Sequence, residues 1–229
     1  MALQVKDMKP ETSVVVLSMG GETTRDALSR CYAMGADEII WLCDDAFAGS
    51  DTVATTKILA RAIEKIDSVD IVLCGEKAVD GETGQVPGGL AERLNIPVIM
   101  GVEKICEFNR EEMIISSHND KEVLEMKLKY PVICSFDSFL TDSSRISLLN
   151  IKRSRGRVIE KWNSEYIGLE REDCGLSGSK TKVVSVVQNQ IEKDGVFIEG
   201  TIKEIVEELM ELLLNEGRYD RKKVHMDCM

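Results

Sequence analysis

Residues 70–97 read DIVLCGEKAVDGETGQVPGGLAERLNIP, and this stretch decides the fold. Its first part is a short apolar, β-branched run that ends at Cys74, and it predicts a buried strand closed by Gly75. A polar loop follows, and after it a helix with apolar residues on one face. Pro97 disfavours helical backbone at the residue before it, so the helix is expected to end there. Strand, loop and helix in this order predict one unit of an α/β fold.

The loop between this strand and helix has features that suit an anion. Pro87 fits only the first turn of the helix, where its missing N–H costs no hydrogen bond. The N–H groups around it lack intrahelical partners and lie at the positive end of the helix dipole. Gly84 leaves room for a phosphate, but Asp80 and Glu82 would repel one, so at least one is expected to turn away, for example towards a ribose. An ordinary capped helix start remains the alternative, because the loop is neither a Walker loop nor a GxGxxG fingerprint.

The remaining pattern predicts a mostly parallel sheet with an antiparallel extension. Up to Val102, predicted strands alternate with helices, which favours a three-layer, doubly wound fold with helices on both faces of the sheet. After Val102, strand-like segments follow one another without helices and are separated by hairpin turns. The predicted strands cover residues 13–19, 38–43, 71–75, 98–102, 104–108, 113–117, 123–129 and 131–136.

The last third of the chain predicts less regular structure. A short helix is expected at residues 148–153, an irregular polar arm at 157–179, a strand at 182–187 and an amphipathic helix at 200–214. We therefore divide the chain into three parts. These are an α/β domain, a C-terminal arm with a helix, and a tail expected to be disordered, at residues 1–156, 157–217 and 218–229.

Composition excludes several classes of protein. The net charge of −11 disfavours nucleic acid or an anionic membrane as the main partner. No apolar run approaches the length of a membrane span, and the start does not resemble a signal peptide. The seven cysteines form no CxxC pair, which is typical of free thiols in a reducing cytoplasm. With two histidines and no nucleophile–base pair, we expect neither a metal site nor catalytic residues, and we predict no enzyme activity of the chain's own.

Three segments resemble the electron-transfer flavoprotein beta subunit family. Residues 78–97 read AVDGETGQVPGGLAERLNIP and are similar to the family's signature region. Upstream, residues 28–56 read LSRCYAMGADEIIWLCDDAFAGSDTVATT, and downstream, residues 145–159 read RISLLNIKRSRGRVI. The resemblance extends in the family's order to about Lys180. It implies a beta subunit that pairs with an alpha subunit and carries electrons between a flavin dehydrogenase, such as an acyl-CoA dehydrogenase, and an acceptor. A stand-alone adenine-nucleotide-binding module, like the universal stress proteins, is the alternative.

The resemblance also implies cofactors and a nucleotide site. FAD would be shared with or held by the alpha subunit, and a second nucleotide, FAD or AMP, would bind here. The loop looks more like the bacterial, bifurcating type, which carries a second FAD, but Val86-Pro87-Gly88 stands where that type reads Val-Gly-Pro. The residues expected at the nucleotide are Met19, Gly75, Lys77, Ala78, Asp80, Gly81, Glu82, Thr83, Gly84, Gln85 and Val86.

The resemblance further implies a docking segment for the dehydrogenase. Leu148 matches the family's anchor leucine, and Lys152, Arg153 and Arg155 follow it. From the residues alone, Leu148 could instead belong to a small satellite core, and the cations could be an ordinary solvated run.

One departure concerns the start of the fold. Family members begin with a strand and a nucleotide-contacting loop before the helix that residues 1–7 resemble. The resemblance therefore implies that the first strand, which is central in a doubly wound sheet, is missing here. In that case either the sequence is a fragment or another strand takes this place.

Overall fold

The computed structural model describes residues 1–79, 81–118, 122–136, 146–185 and 197–215. The chain forms two compact units, Met1–Val183 and Val184–Met229. The helices of the first unit are α1 (Ala2–Met8), α2 (Thr24–Met34), α3 (Thr52–Ile63), α4 (Val86–Leu94), α5 (Leu148–Ser154) and α6 (Gly175–Gly178). Its strands are β1 (Val15–Met19), β2 (Glu38–Leu42), β3 (Ile71–Gly75), β4 (Val98–Phe108), β5 (Glu112–His118), β6 (Val123–Lys129), β7 (Val132–Phe136) and β8 (Glu160–Trp162). The second unit contains α7 (Ile202–Asn215).

The strands of the first unit belong to two sheets. The order β1-β2-β8 is parallel throughout, and the order β3-β7-β4-β5-β6 is parallel at its β3 end and antiparallel at its β6 end. This confirms the α/β fold and the antiparallel extension. Within the described residues no strand pairs with both β1 and β3, so the predicted single sheet is interrupted between these two strands.

Helices cover both faces of each sheet and produce the expected three layers. On the three-stranded sheet, Leu28 of α2 packs with Ile39, while Ile58 of α3 packs with Ile40 on the other face. On the five-stranded sheet, α3 and α4 cover one face, and Val5 of α1 joins the core of the other face. Because α3 contributes to a core cluster of each sheet, it holds the two sheets in one unit.

Strand β4 is longer than predicted. The two strands expected at residues 98–102 and 104–108 are one element, which pairs with β7 on one edge and with β5 on the other. Gly101 lies at the register shift with a φ of +66°, and a Cβ there would come within 3.1 Å of the His118 carbonyl oxygen. Glycine therefore lets the strand bend without ending, a property that the local pattern did not reveal.

The segment after Gly156 contributes to the core of the first unit. β8 pairs with β2, and Trp162, Ile167 and Leu169 are buried against Phe47. The compact unit accordingly extends to Val183, whereas a boundary was expected at residue 156. Residues 157–179 were expected to be irregular, but they contain strand β8.

Other boundaries differ less from the predictions. α7 covers most of the helix expected at residues 200–214. The expected strand at 182–187 is not formed at residues 182–185, and its remainder lies outside the described residues, as do the turn at 119–121 and the tail at 218–229.

Replacing Ile167 with Ala tests whether this late segment stabilises the unit. Ile167 is 2 % exposed, so its truncation should lower the free energy of unfolding by about 2–5 kcal/mol, measured by denaturant titration. The matched control is Val158→Ala, at a side chain that is 77 % exposed. This substitution should change the free energy of unfolding by less than about 0.5 kcal/mol. Equal stability of the two variants would show that the segment is not part of the cooperative core.

Candidate functional site

Residues 76–85 connect β3 to α4, and we call them the phosphate-sized loop. This loop lies at the carboxyl end of β3. Parallel strands β3 and β7 end together at Gly75 and Phe136, and the Glu76 N–H donates to the Phe136 carbonyl at 3.0 Å. In open α/β sheets, ligands bind outside the carboxyl ends of the strands. The loop therefore starts from the edge at which a ligand is expected.

The loop backbone folds back on itself. The Glu82 N–H donates to the Ala78 carbonyl at 2.9 Å, and both Glu82 and Gly84 have left-handed backbone, with φ of +47° and +62°. A Cβ on Gly84 would lie 3.7 Å from both the Glu76 carbonyl oxygen and the Lys77 Cγ. The first two residues of the loop, Glu76 and Lys77, therefore lie close to Gly84, which directly precedes the N-cap residue of α4.

The N-cap residue of α4 does not cap the helix with its own side chain. Gln85 is the N-cap residue but makes no side-chain cap hydrogen bond, and Pro87 lies buried in the first turn as predicted. The Gln85 side chain instead accepts a hydrogen bond from the Thr52 hydroxyl at 2.8 Å. Since Thr83 and Gln85 are exposed, an anion could reach the positive end of the α4 dipole from solvent.

Close packing of α3 against α4 fixes the direction of this helix start. A Cβ on Gly89 would come within 2.7 Å of Thr56 Cγ2, so the two helices approach more closely than an alanine would allow. Arg93 adds two hydrogen bonds to α3, from Nε to Thr56 Oγ1 and from Nη2 to the Val53 carbonyl, both at 3.1 Å.

Asp51 links the start of α3 to the end of the first unit. One carboxylate oxygen caps α3 by accepting from the N–H groups of Val53 and Ala54, and the other accepts from the N–H groups of Lys180 and Thr181. Partial burial raises the pKa of this carboxyl, but the hydrogen bonds to its ionised form outweigh burial and lower the pKa to about 2. Because Thr52 follows Asp51 directly and binds Gln85, this cap lies beside the phosphate-sized loop.

The structure brings most of the predicted nucleotide residues together. The described residues among 75–86 are mostly exposed and belong to the end of β3, the loop after it and the start of α4, whereas Asp80 lies outside the described residues. Met19 ends β1 in the other sheet, where it is half-buried against the core cluster that contains Leu42. Their roles at a nucleotide remain predictions.

The expected docking segment forms helix α5 on the surface. Leu148 is 85 % exposed, so its interpretation as a satellite core residue is wrong. Leu149 and Ile151 are also exposed. Neither was predicted as part of the docking segment, although the apolar side chains at positions 148, 149 and 151 are visible in the sequence. Lys152, Arg153 and Arg155 follow on the same short segment, with Arg153 and Arg155 separated only by Ser154.

Burial keeps two of the described thiols in their unreactive, protonated form. Six cysteines are free, and burial raises the pKa of Cys74 to about 11 and that of Cys134 to about 12. Thiolate, the reactive form, is therefore scarce at neutral pH. Among the described residues, no group of three or more His, Cys, Asp or Glu side chains is arranged to hold a metal ion.

No helix in the described part of the chain is both long and apolar enough to span a bilayer.

Comparisons with known proteins identify the family of the chain. Residues 1–163 match the family model of the electron transfer flavoprotein domain. The chain is 39 % identical over 201 residues to the caffeyl-CoA reductase-Etf complex subunit CarD of Acetobacterium woodii, covering 87 % of this chain and 76 % of the relative. It is 35 % identical over 213 residues to the electron transfer flavoprotein subunit beta of Thermoanaerobacterium thermosaccharolyticum, covering 93 % and 81 %. It is 37 % identical over 193 residues to the protein FixA of Sinorhizobium fredii, covering 81 % and 67 %.

Replacing Asp51 with Asn should give a pH-dependent loss of stability. The folded-state pKa lies below the ordinary value of 3.8, so ionised Asp51 stabilises the fold above pH 4, and this contribution is lost as pH falls towards about 2. The difference in Tm between wild type and Asp51→Asn should be largest near neutral pH and should narrow over that window. The control is Asp67→Asn, at an exposed turn, whose difference from wild type should be small at every pH. A gap for Asp51→Asn that does not narrow would contradict the assignment.

Proposed function

The chain belongs to the electron-transfer flavoprotein beta subunit family, and from this premise we propose that it carries electrons between a flavin dehydrogenase and an acceptor as half of a heterodimer. The observation that carries the proposal is that both candidate functional segments, residues 75–86 and helix α5, lie within the matched region 1–163 and are largely exposed. Nothing in the comparisons favours the alternative of a stand-alone nucleotide-binding module.

We propose that the loop between β3 and α4 holds the phosphate of an adenine nucleotide. The accessible N–H groups at the start of α4, the close backbone approach at Gly84 and the cation of Lys77 suit a phosphate. Glu82 has left-handed backbone within a tight turn, and we propose that its carboxylate points away from the phosphate. Asp80 would then lie near the ribose or the loop backbone.

The second nucleotide is proposed to be FAD in preference to AMP. FAD, when bound, supplies the acceptor and donor of electrons, and the chain's own residues bind and orient it. The resemblance to the bacterial loop type supports FAD, and with it a bifurcating complex. Residues 157–217, the C-terminal arm and its helix, would pack on the alpha subunit.

We propose that helix α5 docks the dehydrogenase. Leu148 would enter an apolar pocket of the partner, and burial of a leucine side chain contributes about 1.5–3 kcal/mol. Lys152, Arg153 and Arg155 would steer an acidic partner towards the helix, which raises the association rate at low salt. One relative is by name a subunit of a caffeyl-CoA reductase-Etf complex, which supports an enzyme acting on CoA esters as the partner.

Replacing Gly84 with Trp should abolish the proposed nucleotide site. The φ of +62° disfavours any other residue, and an indole would fill the space over Lys77. Calorimetric titration of the heterodimer with FAD and with AMP should show an affinity lowered by about tenfold or more. The control is Val123→Trp, which adds the same indole at a side chain that is 66 % exposed on β6, and it should bind as wild type. Unchanged affinity in Gly84→Trp would show that the nucleotide binds elsewhere. In wild type, the ligand that binds more tightly, FAD or AMP, is identified as the second nucleotide.

Replacing Leu148 with Ala should weaken dehydrogenase docking by about tenfold to a hundredfold. The measurement is the dependence of flavin reduction in the heterodimer on the dehydrogenase concentration. Flavin content and Tm should not change, because Leu148 is 85 % exposed. The matched control is Leu124→Ala, at an exposed leucine on the distant strand β6, which should leave docking unchanged.

The same assay separates two kinds of failure. If the wild-type heterodimer takes no electrons from any flavin dehydrogenase, the proposed function itself is wrong. If wild type is active and Leu148→Ala either matches it or loses stability in place of partner affinity, only the docking assignment is wrong.

A further inference from the structure

A second positively charged region lies on the opposite side of the three-stranded sheet from α3. A cleft of about 1060 Å³ opens between α2, α5 and the segment that leads into β8. Its volume is at the upper end of the range of small-molecule sites. One acidic residue, Glu22, lines the cleft together with five cations, Arg25, Arg30, Arg155, Arg157 and Lys161. This local excess of positive charge stands on a chain whose net charge is −11.

Two of these cations are held in place by aromatic rings. The Arg157 guanidinium lies 4.9 Å from the centroid of the Tyr32 ring, and its Nη1 donates to the Ala36 carbonyl at 3.2 Å. Lys161 Nζ lies 5.0 Å from the centroid of the Trp41 ring and 3.1 Å from a Glu22 carboxylate oxygen.

The two rings are themselves fixed by hydrogen bonds. The Tyr32 hydroxyl donates to the Val158 carbonyl at 2.6 Å, and Trp41 Nε1 donates to the Gly20 carbonyl at 2.8 Å. Because the rings cannot rotate freely, Arg157 and Lys161 are positioned before any ligand arrives. Such preorganisation lowers the entropy cost of binding.

The other three cations of the cleft are arginines with no partner in the described part of the chain. Among the residues that the structure describes, the guanidinium groups of Arg25, Arg30 and Arg155 make no hydrogen bond or ion pair. Three guanidinium groups that line one cleft repel each other, and a multivalent anion would replace this repulsion with attraction. The planar fork of arginine matches phosphate oxygens, with which it can form two parallel hydrogen bonds.

We propose that this cleft is a binding site for a small phosphate-bearing polyanion, a diphosphate or longer, and that it is separate from the loop before α4. None of the residues of that loop lines the cleft. The cleft has a volume close to that of small-molecule sites, which favours a small molecule over the flatter surface of an acidic protein. Ile151 and Ser154 of α5 also line the cleft, so an occupant would lie against the helix that carries Leu148.

Titration of the full chain with inorganic pyrophosphate at low salt tests the site. So that the loop before α4 does not contribute, every chain in this titration also carries Gly84→Trp. The chain that is wild type in the cleft should then bind with saturation at one equivalent and more weakly as salt is added. The double variant Arg25→Gln/Arg30→Gln should bind at least about tenfold more weakly, since two unpaired cations of the cleft are lost. The control is Arg110→Gln/Lys129→Gln, which removes the same net charge from exposed positions on the antiparallel extension. It should change the affinity by less than about twofold.

Two further ligands distinguish the source of the phosphate and the class of partner. ADP that binds more tightly than pyrophosphate, and loses that affinity in the cleft variant, would identify a nucleotide as the source, whereas equal affinities would indicate a free oligophosphate. The proposal is overturned if wild type shows no saturable binding, or if both double variants lose affinity equally. It is also overturned if an oligoglutamate peptide binds the cleft more tightly than pyrophosphate, because the cleft would then belong to an acidic protein partner. Far-UV circular dichroism should show both double variants folded, as expected for substitutions at exposed side chains.

Discussion

The packing of α3 between the two sheets is the constraint on which the rest of the structure depends. Ile58 and Ala62 belong to the core of the three-stranded sheet, and Ala60, two residues from each, belongs to the core that α4 and the five-stranded sheet share. A single helix can serve both because residues two positions apart point about 200° apart around the helix axis, whereas residues four apart share a face. With β1 and β3 not paired to a common strand in the described residues, the relative position of the sheets follows largely from this helix.

The same helix determines where a ligand can bind. Thr56 meets Gly89 so closely that α4 has one direction relative to α3, and Thr52 binds Gln85 at the start of α4. The contact between the two helices is so close that one added carbon atom would disturb it. This packing therefore fixes the orientation of the α4 dipole. Asp51 adds the end of the first unit to this arrangement, because its two carboxylate oxygens serve α3 and residues 180–181 at once. The loop backbone is consequently supported by elements distant in sequence.

Charge is distributed unevenly over this acidic chain. The start of α4 offers backbone donors and a dipole, while α5 and the neighbouring cleft offer side-chain cations. The start of α4 suits a single phosphate that binds backbone N–H groups. The cations of α5 and the cleft suit a partner or ligand with several negative charges. A beta subunit that binds a nucleotide and docks a dehydrogenase would need such separate positive regions, because the remaining surface repels anions.

The sequence by itself determined the features that local chemistry encodes. Apolar periodicity located the central strands and helices, Pro87 located the first turn of α4, and a short helix was expected where α5 forms. These follow from backbone restrictions and side-chain spacing within a few residues, and the resemblance to a family added the electron-transfer role, which the matched region supports. Only the tertiary structure decided what depends on partners far along the chain. β8 is three residues long with one buried side chain, and only pairing with β2 makes it a strand. The cleft joins Arg25 and Arg30 to cations more than a hundred positions away, and no local pattern predicts their meeting, because the distance between them is set by the packing of α2 beside α5.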